Sequence, residues 1–346
     1  MKTELRAYML EQLKKLLAID STTGDCREIE AYLCEEIARL GYTPRRLHKG
    51  GVTADLGGEG NGLFVTAHVD DIGLMVRRIR PDGSLWVARI GGLHPFMCEQ
   101  ANARIHTRDG RVYTGVLRRA NPSLHLMPPG EREATGDFDK NVFLYLDEDV
   151  KSAEDTAALG IRCGDFVALA PETVFCPSGY IKSRYLDDKV SAAVLLTVMR
   201  ALREEQVSLR RHVTAYFSCY EEIGHGGGTG LPEDTMDVLA VDIGCCGPNN
   251  DTDEKKVTIC VKDAAFPYHV DMVNELLAAA EASGAAHVLD MFLPSYSTDA
   301  NVAIRTGRDV RHGLIGPGVL STHGYERTHI ESLEATYALL REYVAR

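Results

Sequence analysis

Four short stretches set acid or imidazole side chains at the end of a predicted strand or the start of a predicted helix: Ala67-His68-Val69-Asp70-Asp71, Leu186-Asp187-Asp188-Lys189, Tyr220-Glu221-Glu222-Ile223-Gly224 and Val241-Asp242-Ile243-Gly244. With the later His323 they make a ligand set for two metal ions and a carboxylate base, chemistry that points to hydrolysis. Zinc and cobalt accept imidazole and carboxylate, and two such ions a few ångströms apart need one bridging carboxylate with separate ligands on either side. Asp187 is the natural bridge, with His68 and Asp242 serving one ion and Glu222 and His323 the other. Asp70, next but one to His68, is placed to accept the second imidazole N–H and fix the ring. The adjacent glutamates divide the work: Glu222 ligates, and Glu221 faces the activated water as general base.

Each motif also has a plain structural reading. A lone histidine near a strand end is more often a hydrogen-bonded core residue, and acid pairs are usually solvated surface charge. Their joint occurrence, in an order that can converge in space, argues for chemistry. Other features carry less. His225-Gly226-Gly227-Gly228-Thr229-Gly230 lacks the Lys-Ser/Thr of a phosphate loop and reads as a tight turn. Ser297-Thr298-Asp299 reads as a substrate wall or a turn, and Ser218-Cys219 as strand interior, without a nucleophile elbow.

The elements that must position these groups alternate between helix and strand. Ile29, Leu33, Ile37 and Leu40 share one helical face, with Asp25 and Glu28 at capping-box spacing ahead of it and Gly41 as its stop. Residues 52–56 and 62–67 are short β-rich runs, the second nearly all apolar as expected of a strand covered on both faces. Further on, a helix is expected over 188–204, strands over 212–219, 237–242 and 287–292, and helices over 271–282 and from Ile330 onward. Ligands in open α/β sheets bind outside the carboxyl ends of the strands, where His68, Glu221, Glu222 and Asp242 fall. Between about residues 77 and 179 the texture changes to short strands punctuated by Pro81-Asp82-Gly83, Arg108-Asp109-Gly110 and Met127-Pro128-Pro129-Gly130. This predicts a small β-rich insertion, with a mobile loop over 121–140, dividing a domain formed by residues 1–76 and 180–346.

At 346 residues either one large domain with an insertion or two domains can bury a full core. The formal charge of −12 disfavours nucleic acid and anionic membranes as partners. No apolar run approaches the roughly 20 residues of a membrane span. The first fifteen residues read as a charged amphipathic helix rather than a leader, so a cytoplasmic location is expected. Nine cysteines without a C-x-x-C pair signal neither a disulfide framework nor a structural zinc site.

At these residues the sequence resembles the glutamyl aminopeptidase and tetrahedral aminopeptidase family of dinuclear metallo-aminopeptidases, which includes proteins of the cellulase M type. AHVDDIGLMV, RIGGLHP, LGIRCGDFVAL, YLDDKVSAAVLL, YEEIG, VDIG and STDA occur in family order over nearly the whole chain. The resemblance implies a mixed-sheet α/β/α catalytic domain interrupted by a β-barrel-like domain used in dimerisation and assembly. It also implies a homo-oligomer built on dimers, with a dodecamer as the largest expected state. His68, Asp187, Glu222, Asp242 and His323 fall on the family's ligand positions, Glu221 on the base and Asp70 on the acid behind the histidine. Two divalent ions per subunit follow, Zn²⁺ or Co²⁺ first and Mn²⁺ as a third option. The chain departs from the family where Pro-x-Arg-Tyr-x-His is replaced by Gly318-Val319-Leu320-Ser321-Thr322-His323, and Ser297 stands in place of a glycine. These changes leave His329 as a rival ligand, with His323 preferred because it precedes the last helix at the family's distance. The function expected is removal of N-terminal residues from peptides by a two-metal-activated water with a glutamate base. A dinuclear deacylase or amidase on small N-acyl substrates is the alternative, ahead of a metal-binding assembly or glycan-active protein without peptidase activity.

Overall fold

The computed structural model describes residues 1–346, and the chain divides into two compact units, Met1–Asp70 with Glu172–Arg346 and Asp71–Pro171.

The larger unit is built on a twelve-stranded mixed sheet. Four strands at its centre run parallel in the order Val213–Ser218, Gly62–His68, Thr235–Val241 and Arg311–Leu320. Their apolar runs explain that position: every residue of Val213–Ser218 and Gly62–His68 is buried, as befits parallel strands covered on both faces. Val52–Gly57 and Pro44–Arg46 extend one side antiparallel. Val257–Lys262 pairs antiparallel with Arg311–Leu320 and carries His287–Met291 beyond it. Helix Leu186–Glu204 packs on Gly62–His68 and Arg311–Leu320, and on helices Thr3–Ala18 and Ile330–Ala345. It is buried all round from Leu186 to Met199, which suits the apolar content of AAVLLTVM but wastes the amphipathic pattern of an ordinary surface helix.

The expected elements around the acid motifs all form, with shifted ends. Helix Arg27–Arg39 starts from Cys26 without a side-chain cap, because Asp25 is drawn into an ion pair with Arg27, so the capping box does not form. The sequence reading also passed over Val257–Lys262, Arg311–Leu320 and the short strands Tyr180–Ser183 and Glu326–His329. In Arg311–Leu320 glycine allows close approach of two backbones: a Cβ on Gly316 would lie 1.9 Å from the main-chain oxygen of Asp242.

The smaller unit is a closed six-stranded antiparallel barrel, in the order Gly73–Ile79, Leu85–Ile90, Val142–Leu146, Val112–Arg119, Asn102–His106 and Phe166–Leu169. Alternate residues Leu74, Val76, Leu85, Val87, Ile105, Leu117, Leu144 and Val167 fill its interior. Closure leaves no unpaired edge. Residues 172–179 lie with the large sheet because Val174–Phe175 pairs with Tyr180–Ser183, which in turn pairs with Glu326–His329.

Candidate active site

The five candidate ligands come from the places where sheet strands end. His68 is the last residue of Gly62–His68 and lies beside Ser218 in the neighbouring strand. The strand Val213–Ser218 then turns through Tyr220 into the 3-10 turn Glu221–Ile223, and Asp242 follows directly on Thr235–Val241. Asp187 sits in non-helical backbone at the start of Leu186–Glu204, and His323 in the turn after Arg311–Leu320. Of the seven non-glycine residues with positive φ, Tyr185, Tyr220, Ser321 and His323 flank or form this site. Such backbone persists where surrounding structure enforces it, and it clusters at sites of function.

The side chains converge into two donor groups that share Asp187. Donor atoms of His68, Asp187 and Asp242 lie within 4.8 Å of one another, and so do those of Asp187, Glu222 and His323. His68 Nε2 is 3.1 Å from Asp187 Oδ1, and His323 Nε2 is 3.3 Å from Glu222 Oε2 and 3.7 Å from Asp187 Oδ2. Glu221 belongs to neither group, although its carboxylate lies 3.8 Å from His68 Nε2.

The main chain beneath these side chains is held by other buried acids. Asp70 accepts the N–H of Glu221 at 3.1 Å and of Glu222 at 3.4 Å, and the Thr23 hydroxyl at 2.7 Å. Its carboxylate stands 3.6 Å from His68 Nδ1, whose nearer acceptor is the main-chain oxygen of Asp70 at 3.0 Å. With Nδ1 donating there, Nε2 is the atom turned toward Asp187. Asp188 accepts the N–H of His68 at 3.2 Å.

His329 is elsewhere. Its Nδ1 accepts the Glu331 N–H, capping the last helix, and its Nε2 donates to the main-chain oxygen of Ser178. Asp299 at the head of Asp299–Arg305 accepts hydroxyls from Thr66 at 2.9 Å and from Ser218, so the Ser297-Thr298-Asp299 motif reaches the strands that carry His68 and Glu221. Gly227 passes so near that a Cβ would meet the Asp299 main-chain oxygen at 2.2 Å. Sequence reasoning missed Asp188 and Glu326 as supports. The Asp-Asp pair carried a signal for the first; Glu326 carried none.

Burial dominates the electrostatics. It pushes the carboxyls of Glu221, Glu222 and Asp188 up, and with Asp187 nearby it pushes Asp242 to about 7. Asp187 goes the other way: burial opposes it, but the His68 hydrogen bond and the charges of His68 and His323 prevail. Burial would lower both imidazoles, yet the carboxylates facing them raise His68 well above its ordinary value and His323 to about 10. Acids that take up protons beside imidazoles that keep theirs mark a place built with too much negative charge, which divalent cations would neutralise. The donors, two imidazole nitrogens and three carboxylates without a thiolate, suit Zn²⁺, Co²⁺ or Mn²⁺.

The profile of the M42 glutamyl aminopeptidase family matches residues 50–339. The YhfE protein of Bacillus subtilis (strain 168) is 39% identical over 344 residues, covering 99% of this chain and 98% of that protein. The glutamyl aminopeptidase of Lactococcus lactis is 26% identical over 256 residues, 70% of this chain and 68% of that protein. Among solved structures, the Pyrococcus horikoshii TET1 peptidase, described as assembling into a tetrahedron or a large octahedral shell, superposes with a TM-score of 0.85 at 23% identity, covering 97% of this chain and 99% of that one. At that identity the likeness speaks to the fold.

Proposed function

This chain belongs to the M42 glutamyl aminopeptidase family and is a peptide hydrolase, and we propose that it removes N-terminal residues from peptides with two divalent cations held in the paired donor groups and Glu221 as the proton carrier. The observation that carries this reading is the division of labour among the acids. Asp187 is common to both donor groups, whereas Glu221, adjacent to Glu222 in the chain, stands outside them.

His68 and Asp242 would hold one ion and Glu222 and His323 the other, with Asp187 available to both. Zn²⁺ or Co²⁺ is the expected metal, with Mn²⁺ third. Bound there, divalent cations would supply Lewis-acid polarisation of the scissile carbonyl and would acidify the attacking water. Glu221 accepts the proton of that water and returns it to the leaving amine. The Asp70 carboxylate fixes the turn that aims Glu221 by holding its N–H and that of Glu222. The Asp70 main-chain oxygen fixes the His68 ring.

The test is digestion of a mixed peptide library, with products sequenced, before chelation, after it, and after adding back Zn²⁺, Co²⁺ or Mn²⁺. Stepwise loss of N-terminal residues, abolished by chelation and restored by metal, is the expected result. Full activity of stripped protein would reject metal dependence, and cleavage confined to N-acetyl amino acids would select the amidase reading.

The assembly proposed is a homo-oligomer built on dimers, up to a dodecamer, in the manner described for the TET1 peptidase. Light scattering on the intact chain checks it, and a strictly monomeric mass would exclude it. No helix is long and apolar enough to cross a membrane, and a cytoplasmic location is proposed.

A further inference from the structure

We propose that Glu326 is a positioning residue that sets the distance between the bridging ligand and the last ligand by holding both of their main-chain N–H groups. The inference rests on the reading of Asp187 and His323 as metal ligands.

Glu326 opens the short strand Glu326–His329, which pairs with Tyr180–Ser183 so that Glu326 lies opposite Ser183. That register brings its side chain to the start of helix Leu186–Glu204. The residue is 2% exposed. Oε2 accepts the N–H of Asp187 at 3.1 Å, from a residue 139 positions away, and Oε1 accepts the N–H of His323 at 3.0 Å. One planar carboxylate thus spans two backbone segments that nothing in the chain connects locally.

Both segments need such a hold. Asp187, at φ −75° and ψ 105°, has left the helical conformation of the residues that follow it, and His323 lies at φ +62°. Left-handed backbone is unfavourable for a histidine and persists only where the surroundings impose it. Buried N–H groups need acceptors, and the two oxygens of one carboxylate accept two donors without reorienting. A glutamine cannot: its amide offers one oxygen, and its NH₂ would face the other N–H donor. The arrangement repeats what Asp70 does for Glu221 and Glu222, so two acids that belong to neither donor group hold the main chain of four residues of the site.

The experiment measures Zn²⁺ binding to the metal-free full-length protein by calorimetry, with metal content by mass spectrometry, for the wild type, Glu326→Gln, His323→Ala and the double variant. Wild type is expected to bind two Zn²⁺. Glu326→Gln is expected to keep the fold by circular dichroism and weaken one site by about 10–100-fold, the usual effect of removing a group that orients a ligand. At saturating Zn²⁺ kcat should fall with KM little changed. In the His323→Ala background the same change should weaken binding less than it does alone, because the His323 imidazole is already gone; a merely structural role would give additive losses. Should Glu326→Gln fail to fold, Glu326→Asp, which keeps the charge but loses reach, carries the test with the same criteria. Two normal Zn²⁺ sites in a folded Glu326 variant, or strictly additive losses, would overturn the positioning role alone. Wild-type affinity in His323→Ala, or no Zn²⁺ bound by wild type, would overturn the ligand assignment and this inference with it.

Discussion

The barrel and the catalytic unit use the same acidic residues in opposite ways. In the barrel, Asp109 pairs with Arg111, Asp137 with Lys140 and Asp139 with Arg77, on side chains that keep a third or more of their surface in water. Exposed pairs of this kind contribute little to stability and are screened by salt. In the catalytic unit Asp70, Asp188 and Glu326 are at most 2% exposed and accept main-chain N–H groups, while the side chains they support present still more carboxylates to a shared space. Burying charge without a matching cation is expensive. A fold that keeps this concentration of acids at the ends of its central strands is spending stability on a site, and the barrel shows that the same chain satisfies its acids cheaply elsewhere.

The sharpest way to break that contrast is to neutralise one buried acid that the geometry excludes from ligation. Glu221→Gln is isosteric and leaves both donor groups intact, so metal content should stay at the wild-type level while kcat falls by about 10²–10⁴-fold, the range for loss of a positioned general base. Asp187→Ala, by comparison, removes the donor common to both groups and should lose at least one ion. Metal analysis on the same samples used for rates separates the two. Near-normal turnover in Glu221→Gln would end the base assignment.

Much of this was legible from residue order because burial on both faces forces a continuous apolar run. Gly62–His68 could be read that way, and a motif at the end of such a strand inherits a position in space. Leu186–Glu204 was legible through its apolar length. Arg311–Leu320 was not: its Gly313, Gly316, Pro317 and Gly318 are the residues that ordinarily end a strand, and their use here depends on a neighbour, the Asp242 main chain, that no local pattern reveals. The same blindness hid Glu326, whose partners are its neighbour His323 in a turn and Asp187 far off in the chain. His329 illustrates the converse. Its spacing from His323 made it a rival ligand, whereas local backbone chemistry makes it a helix cap. Side-chain types announced the donors; the supports depended on tertiary register.

A smaller effect sharpens the comparison, because the two sets of acids should move stability with pH in opposite directions. In the barrel the hydrogen bond from Arg111 lowers Asp109, that from Lys140 lowers Asp137, and the Lys151 N–H lowers Asp155. Depressed acids give their stabilisation above the unfolded carboxylate value of about 3.9 and lose it as pH falls, and these are exposed enough for salt to mute the effect. In the metal-free site, burial raises Glu221, Glu222, Asp188, Asp242, Asp299 and Glu326. A raised acid binds more protons folded than unfolded, so its contribution is complete below about pH 4 and is lost as pH climbs through the folded value, about 7 for Asp242. Asp187, lowered, runs against this trend, and His323, raised to about 10, keeps its contribution until higher pH. The six raised acids outnumber the one lowered, so the melting temperature of stripped protein is expected to drift down between about pH 5 and 8, with little response to salt because the groups are buried. Saturating Zn²⁺ should reverse the drift, since the ligands must shed those protons to bind it and binding itself stabilises the fold. Calorimetric melts of stripped and loaded protein across that range make the measurement. A stripped protein whose melting temperature stays flat or rises with pH would mean that the buried acids are matched by charges within the fold, and the contrast with the barrel would collapse.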